Sequence, residues 1–203
     1  MKPELIAASQ VASTHDAGLL RDALNAVESG NWSTVRSLEA QARDETVRQL
    51  ILWYRGRGDV LMSFDELDNL LNTQGDWPQM RSVQVRAEEA VALSALSSEQ
   101  RIAWFESIGG PISGSGRLAL AEAYRRTNDY ESAVEVIRNA WHGNTLDSSE
   151  TADVLSSYGN SLTQEDHQKR ADFLMWTAQR TAASRLKPYL NADWKALIEA
   201  RIR

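Results

Sequence analysis

Apolar side chains recur every three or four residues along most of this chain, which is the spacing of amphipathic α-helices. Residues 16–30 are typical, because the apolar residues fall on one helical face: Leu20, Ala23, Leu24 and Val27. Runs of Val, Ile and Thr that would indicate strands are absent, and only four prolines occur. The pattern predicts an all-α fold of about a dozen short antiparallel helices of roughly 8–18 residues, arranged as an α-solenoid or superhelix.

Capping residues and helix breakers set the predicted helix boundaries. Five N-terminal caps are expected, two of them as capping boxes: Asp16, Ser63 with Glu66, Ser97 with Gln100, Asp147 and Thr163. Breaks are expected at Gly30 and at residues 109–111, and Pro78 suits the first turn of a long helix reaching about Ala95. We expect residues 1–15 to be disordered or extended and residues 16–203 to form a single α-superhelical domain.

One predicted hairpin, residues 118–140, is close to a tetratricopeptide repeat. An Asn-Asp turn joins its two helices. Its small residues would let the helices approach closely, with two tyrosines filling the space around them: Ala121, Ala123 and Ala133, with Tyr124 and Tyr130. The other hairpins vary in length, so the array is predicted to be tetratricopeptide-like only in part.

Composition and charge exclude several classes of function. The net charge is −6, from 22 basic and 28 acidic residues, and the basic residues are scattered. We expect no nucleic-acid partner, because phosphate neutralisation needs clustered Lys and Arg. No run of about 18 apolar residues occurs, so no membrane span is expected. The absence of Cys excludes disulfides, thiol catalysis and thiolate metal sites. Residues 1–16 lack the apolar core of a signal peptide, which leaves a cytoplasmic protein or one whose leader was removed.

Residues 162–176 concentrate polar and aromatic side chains in one predicted helix. Asp166 and Arg170 stand one turn apart, in an order that supports a helix by a few tenths of a kcal/mol, and Asp166 suits the N-terminal end of the helix dipole. For catalysis His167 would need a nucleophile or a metal partner, and His15 and His142 are isolated in sequence. We interpret the cluster as structural, with one face available to a partner.

The other candidate groups also favour structural roles. Six tryptophans lie within amphipathic patterns and are expected in the core, whereas Trp77 lies in a turn and is expected to be partly exposed. The six are Trp32, Trp53, Trp104, Trp141, Trp176 and Trp194. Adjacent acids point about 100° apart on a helix and are expected on solvated faces: Asp65–Glu66, Glu88–Glu89 and Glu165–Asp166. The Gly-rich stretch 109–116 has no preceding strand and no Lys-Ser/Thr pair, so we interpret it as a connecting loop. The sequence gives no catalytic, cofactor-binding or metal-ligating residue and implies no cofactor.

Several segments, in order and spacing, resemble the N-terminal superhelical, U-shaped domain of bacterial soluble lytic murein transglycosylases. They are "LRDALNAVESGNWSTVRSL", "LILWYR", "FDELDNLLNTQGDWPQMRSVQVRAEEA", residues 103–143, "SYGNSLTQEDHQKRADFLMWTAQRTAASRLKPYL" and "ALIEARI". The resemblance covers nearly the whole chain. Asp166, His167 and Arg170 match a scaffold marker of that family, to which no catalytic role belongs.

The resemblance implies part of a periplasmic enzyme that cleaves the β-1,4 bond between N-acetylmuramic acid and N-acetylglucosamine and leaves 1,6-anhydro-muropeptides. In that family the catalytic Glu belongs to a C-terminal lysozyme-like domain, within a Glu-Ser motif followed by a Gly-Leu-Met-Gln type segment. Glu106–Ser107 imitates the dipeptide, but no such segment follows and its position matches a scaffold helix. We therefore expect these 203 residues alone to be inactive and to shape the ring that holds peptidoglycan glycan strands.

An alternative function is a free-standing helical-repeat adaptor that binds a protein partner through a groove, which the tetratricopeptide-like hairpin favours. A third idea, a metal or thiol enzyme, has no ligand set in the sequence.

Overall fold

The computed structural model describes residues 13–202, with the backbone alone for Ile202, and these residues form twelve α-helices, two short 3₁₀ helices and no strand. The prediction of an all-α fold is confirmed. The helices are short, from 6 residues in α11 to 15 in α1, so α11 is shorter than expected. The chain divides into two compact units, Met1–Gln84 and Val85–Arg203. A single superhelical domain stays a prediction.

The first unit contains four helices: α1 (Thr14–Glu28), α2 (Trp32–Gln41), α3 (Glu45–Gly58) and α4 (Phe64–Gln74). Helices α1, α2 and α3 pack against one another, and α4 packs on α3. The core of the three-helix group is aliphatic: Leu19, Ala23, Ala26, Val35, Ala42, Val47 and Ile51. Gly30, at φ +67°, ends α1 as predicted, since this backbone conformation costs a glycine little.

The first helix begins slightly earlier than predicted. Its N-cap is Ser13, whose hydroxyl accepts a hydrogen bond from the backbone N–H of Asp16. The predicted cap, Asp16, instead lies inside the first turn, and its Oδ1 accepts the backbone N–H of Arg43 at 2.9 Å. Of the segment predicted to be disordered or extended, residues 1–12 lie outside the described residues, while Thr14 and His15 are helical.

The helix expected to begin at Pro78 begins two residues later, as α5 (Met80–Val91), and ends before Ala95. Gln79 adopts a left-handed conformation, at φ +62°, which separates Pro78 from the helix. Pro78 is held by a long-range contact, because its carbonyl accepts the indole N–H of Trp53 at 2.9 Å. The boundary between the two units falls within α5.

The second unit contains the remaining helices: α6 (Ser98–Ser107), α7 (Gly114–Arg126), α8 (Tyr130–Gly143), α9 (Ser148–Tyr158), α10 (Gln164–Trp176), α11 (Arg180–Arg185) and α12 (Ala192–Ile202), with 3₁₀ helices Gly159–Ser161 and Lys187–Tyr189. The predicted caps at Ser97, Asp147 and Thr163 are present, each within a capping box, as is the box at Ser63 of the first unit. Helix α10 packs on α8, α11 and α12, and therefore lies centrally in this unit.

The predicted hairpin is formed by α7 and α8, the most extensive helix pair. Its alanines are buried as expected, and the turn passes through Asn128 at φ +64°. Tyr124 packs against the core, but Tyr130 is 58% exposed, so the prediction that both tyrosines fill the hairpin is wrong for Tyr130. Tyr130 is the first residue of α8, next to the turn, where no further helical turn covers its ring.

Candidate functional site

An open groove of about 790 Å³ runs along α8 in the second unit, between this helix and the segment that leads into α10. It is called the α8 groove and is lined by Tyr130, Glu131, Val134, Glu135, Arg138, Asn160, Ser161 and Thr163. Its volume lies within the roughly 300–1,000 Å³ of known ligand sites. The lining combines one exposed aromatic ring with carboxylate, guanidinium, amide and hydroxyl groups.

Helical spacing explains why α8 supplies most of this groove. Tyr130, Val134 and Arg138 follow one another at intervals of four residues and therefore lie along one face. Asp129 fixes the start of the helix, because its carboxylate accepts the backbone N–H of Ser132 at 3.1 Å. The buried residues of α8 that pack in the core, including Ile137 and Trp141, lie on the adjoining side of the helix.

Arg138 joins the two walls of the α8 groove. Its Nη2 donates to the backbone carbonyl of Ser161 at 2.8 Å, and its Nε lies 3.5 Å from Oδ2 of Asp166. The side chain of Arg138 remains 42% exposed. The guanidinium therefore holds the wall in place and remains partly accessible from the groove.

Asp166 lies beneath this wall and is nearly buried. It accepts hydrogen bonds from the Thr163 backbone N–H at 2.7 Å and the Thr163 hydroxyl at 2.8 Å, and its Oδ1 lies 2.7 Å from Nε2 of His142. Burial raises the pKa of Asp166, but the hydrogen bonds from Thr163 and His142 outweigh burial and lower its pKa below the usual value. His142, isolated in sequence, is thus the partner of Asp166, and the predicted pairing of Asp166 with Arg170 is wrong.

Arg170 points from α10 to the end of α8 instead. Its Nη1 donates to the backbone carbonyls of Trp141 at 3.2 Å and Asn144 at 2.6 Å, and its guanidinium lies over the Trp141 ring. A cation at a helix C-terminus complements the free carbonyls and the negative end of the dipole. Helical spacing within α10 could not reveal this partner, which lies 26 to 29 residues away in sequence.

His167 is buried between two aromatic rings. It stacks on Tyr189, with ring centroids 5.0 Å apart, and meets Trp141 edge-on at 5.8 Å. Burial lowers the pKa of His167, and the nearby charge of Asp166 offsets part of this effect. The Nδ1 atom of His167 has no hydrogen-bond partner. The three marker residues are therefore buried in structural contacts, so the expected partner-facing side of the cluster is not formed by them.

The glycine-rich stretch 109–116 leads into α7 and is held by a carboxylate. Glu88, fully buried on α5, accepts the backbone N–H groups of Ile112 and Ser113, both at 2.8 Å, and the Ser113 hydroxyl. The position that an anion would take at the start of α7 is therefore occupied by the protein's own Glu88. Gly109 and Gly110 have positive φ values, which explains the break there.

In two of the three adjacent pairs one acid is buried, which contradicts the expected solvated face: Glu88 and Asp166. In the third pair, the Glu66 side chain remains 40% exposed. Asp65, Glu89 and Glu165 are exposed, as predicted. Their neighbours instead hold the fold, because neighbouring helical side chains point in different directions: Glu66 pairs with Arg55, Glu88 holds the glycine-rich stretch, and Asp166 pairs with His142. Glu106, which imitates the family's catalytic dipeptide together with Ser107, is exposed, and the Ser107 hydroxyl donates to the Trp104 carbonyl at 2.7 Å.

The predicted place in the core is confirmed for Trp104 and Trp141, which are buried. Trp32, Trp53 and Trp194 are only half-buried, and Trp77 is partly exposed, as predicted for Trp77 alone. Trp176 is 76% exposed, so its predicted place in the core is wrong. The buried positions of α10 are 166, 167, 170, 171 and 174, and residue 176 lies off the face that they define.

Comparisons with known proteins give this chain no family: no protein-family model, no curated protein and no solved structure matches it. Within residues 13–202 no three His, Asp or Glu side chains are close enough together to hold a metal ion. The part of the chain that the structure describes also has no helix both long and apolar enough to cross a membrane.

Proposed function

We propose that this chain is a scaffold portion of a periplasmic peptidoglycan lytic transglycosylase, and that its α8 groove holds a murein glycan strand without cleaving it. The order of the segments named above supports the family, and the all-helical fold agrees with it. The observation that carries the binding role is the exposed ring of Tyr130 at one end of an open groove with a polar lining.

The chemistry of the groove suits an amino sugar polymer. A pyranose ring has an apolar face of C–H groups that packs on an aromatic ring, while its hydroxyl and N-acetyl groups need donors and acceptors. Tyr130 offers the ring, Glu131 and Glu135 offer acceptors, and Arg138 and Asn160 offer donors. A long open groove also suits a polymer better than a closed cavity would.

The carboxyl groups favour binding over chemistry. A general acid for glycoside cleavage needs a pKa raised toward neutrality. Seven carboxyl groups have a pKa shifted downward, away from that range: Asp16, Asp59, Glu66, Glu99, Glu122, Glu165 and Asp166. The resemblance assigns the bond-breaking step to the lysozyme-like domain of the family, and the lowered pKa values agree with a binding role here.

The test is binding of the pure chain to soluble murein glycan strands, measured by affinity electrophoresis. Tyr130→Ala should weaken binding by about two- to tenfold, the range expected for loss of one aromatic contact. Trp176→Ala is the matched control, because it removes another exposed aromatic residue outside the α8 groove. Equal binding by wild type and Tyr130→Ala would refute glycan binding at the α8 groove. Release of anhydro-muropeptides by the chain alone would refute the scaffold role.

A second candidate is an adaptor that binds a protein partner, and the exposed Trp176 favours it. The Arg201 guanidinium lies 5.9 Å from the Trp176 ring, and Leu197, one turn before Arg201 on α12, is 38% exposed. Exposed Trp and Arg often anchor protein interfaces. If the adaptor is correct, Trp176→Ala rather than Tyr130→Ala should abolish co-purification of a partner from cells that express the chain.

A further inference from the structure

A second cavity, of about 200 Å³, lies in the second unit and differs in character from the α8 groove. It is called the α9–α11 cavity, and aliphatic side chains form most of its wall: Leu146, Ala152, Leu155, Leu174, Ala182 and Leu186, with Thr151 beside them. Its other lining residues are Asp147, Ser148, Arg170 and Arg185. An apolar cavity of about 150 Å³ holds a benzene molecule, so this one has room for a small organic ligand.

Arg170 is the unusual residue in this lining, because it is a buried cation without an anion. It is 1% exposed, forms no ion pair with a described carboxylate, and leaves Nε without an acceptor. Burial lowers its pKa to about 10, against a small opposing effect of Glu150, so the guanidinium stays charged at neutral pH. Two backbone carbonyls satisfy only Nη1, and a buried charge is costly when it is incompletely paired.

Arg185, on α11, adds a second cation to the same cavity. Its side chain is exposed, and the described residues give it no ion pair. The one acid in the lining is Asp147, whose Oδ1 already accepts the Glu150 backbone N–H at 2.8 Å as the cap of α9. Two arginines against one capping carboxylate leave the lining with an excess of positive charge.

We propose that the α9–α11 cavity binds a short aliphatic carboxylate, with its hydrocarbon chain among the leucines and its carboxylate paired with Arg170 and Arg185. The apolar wall suits the hydrocarbon part of the ligand, and the arginines without an ion pair suit its carboxylate. A fork of N–H donors on each arginine suits the two oxygens of a carboxylate. This inference does not depend on glycan binding at the α8 groove.

Two sources present this chemistry: a free short-chain acid, and the carboxyl end of a peptide whose last residue is aliphatic. Hexanoate represents the first and N-acetyl-leucine the second. Whichever of the two binds more tightly identifies the source, and saturable binding of either supports the cavity as a carboxylate site.

The experiment is a titration of the ¹⁵N-labelled chain with each acid, followed by amide and arginine Nε–H signals in two-dimensional NMR. Saturable shifts should centre on residues 146–155 and on the Nε–H of Arg170, with a dissociation constant of about 1 mM or lower for so small a ligand. Hexanamide, which has the same length but no charge, should bind at least about tenfold more weakly.

Two variants locate the site and keep Arg170, whose guanidinium also binds backbone carbonyls at the C-terminal end of α8. Ala152→Trp should abolish the titration, because Ala152 is exposed at the cavity and a large side chain there blocks it without a change in the core. Arg185→Gln should weaken binding about two- to fivefold. Arg180→Gln, an equal change of charge on the same helix but outside this cavity, should leave binding unchanged. Absence of saturable shifts, or equal binding of hexanoate and hexanamide, overturns the proposal.

Discussion

A single methyl group added at Gly116 should destabilise the second unit strongly, although it lies in a helix. A Cβ on Gly116 would lie 2.3 Å from Oε2 and 2.8 Å from Cδ of Glu88. This carboxylate has little freedom to move, because it is fully buried and accepts the backbone N–H groups of Ile112 and Ser113 at 2.8 Å. Relief of the clash needs a shift of about 1 Å, since ordinary contacts begin near 3.4 Å.

The size of the loss follows from two opposing effects. Alanine in place of glycine favours a helix by about 1 kcal/mol. Against this, the displaced carboxylate loses two hydrogen bonds to buried N–H groups, each worth about 1.5–3 kcal/mol when the acceptor is charged. The net loss for Gly116→Ala is about 2–5 kcal/mol, a large part of the roughly 5–15 kcal/mol that stabilises a domain.

Urea unfolding of the full chain, followed by far-UV circular dichroism, measures this loss. Gly18→Ala on α1 is the matched control: a Cβ there meets nothing within 4 Å, so we expect the variant to be about 0.5–1 kcal/mol more stable. In a Glu88→Ala background the cost of Gly116→Ala should largely disappear, because the clashing group is gone. A Gly116→Ala protein as stable as wild type would refute the assigned role of Glu88.

Three further predictions concern buried ionisable residues. Asp59→Asn should cost about 3 kcal/mol in a urea titration, because Asp59 is fully buried between Arg36 and Arg55. Its pKa is lowered despite burial, so the wild-type carboxylate stabilises the fold above about pH 4 and loses this effect as pH falls through the lowered pKa. Because the pKa of buried His167 is also lowered, the unfolded chain binds a proton more readily, and wild-type stability should fall as pH drops below about 6.5. His167→Phe should remove much of this dependence of unfolding free energy on pH. An unchanged dependence would contradict the role given to His167. Arg170→Met should cost about 2 kcal/mol and speed amide hydrogen exchange near the end of α8, because two carbonyls lose their donor.

Local features of this fold were predictable from sequence because their causes are local. A capping box joins residues three apart, so Ser63, Ser97, Asp147 and Thr163 could be identified without knowledge of any other helix. The all-α class follows in the same way from apolar spacing along each segment. The start of α5 was missed because Gln79 adopts a left-handed conformation, next to a Pro78 carbonyl that bonds to Trp53, 25 residues away in sequence.

The candidate sites were harder to predict, and the reasons differ between residues. Tyr130 was assigned to the hairpin core from its repeat-like position, but a first helical residue next to a turn has no neighbour on one side. Trp176 could have been placed correctly, because the apolar spacing of α10 puts residue 176 off the buried face. The pairing of His142 with Asp166 and the contacts of Arg170 needed the packing of α10 on α8, which no spacing within one helix contains.

Helix α10 connects the two proposed binding regions, and this affects how their tests are interpreted. Asp166 supports Arg138 in the wall of the α8 groove, whereas Arg170, one turn later on α10, lines the α9–α11 cavity. A substitution within α10 therefore alters the support of both regions, and a loss of binding after such a change cannot be assigned to either one. Tyr130→Ala and Ala152→Trp avoid this difficulty, because both lie at exposed positions on other helices. If Tyr130→Ala weakens only glycan binding and Ala152→Trp abolishes only carboxylate binding, the two regions are separate sites.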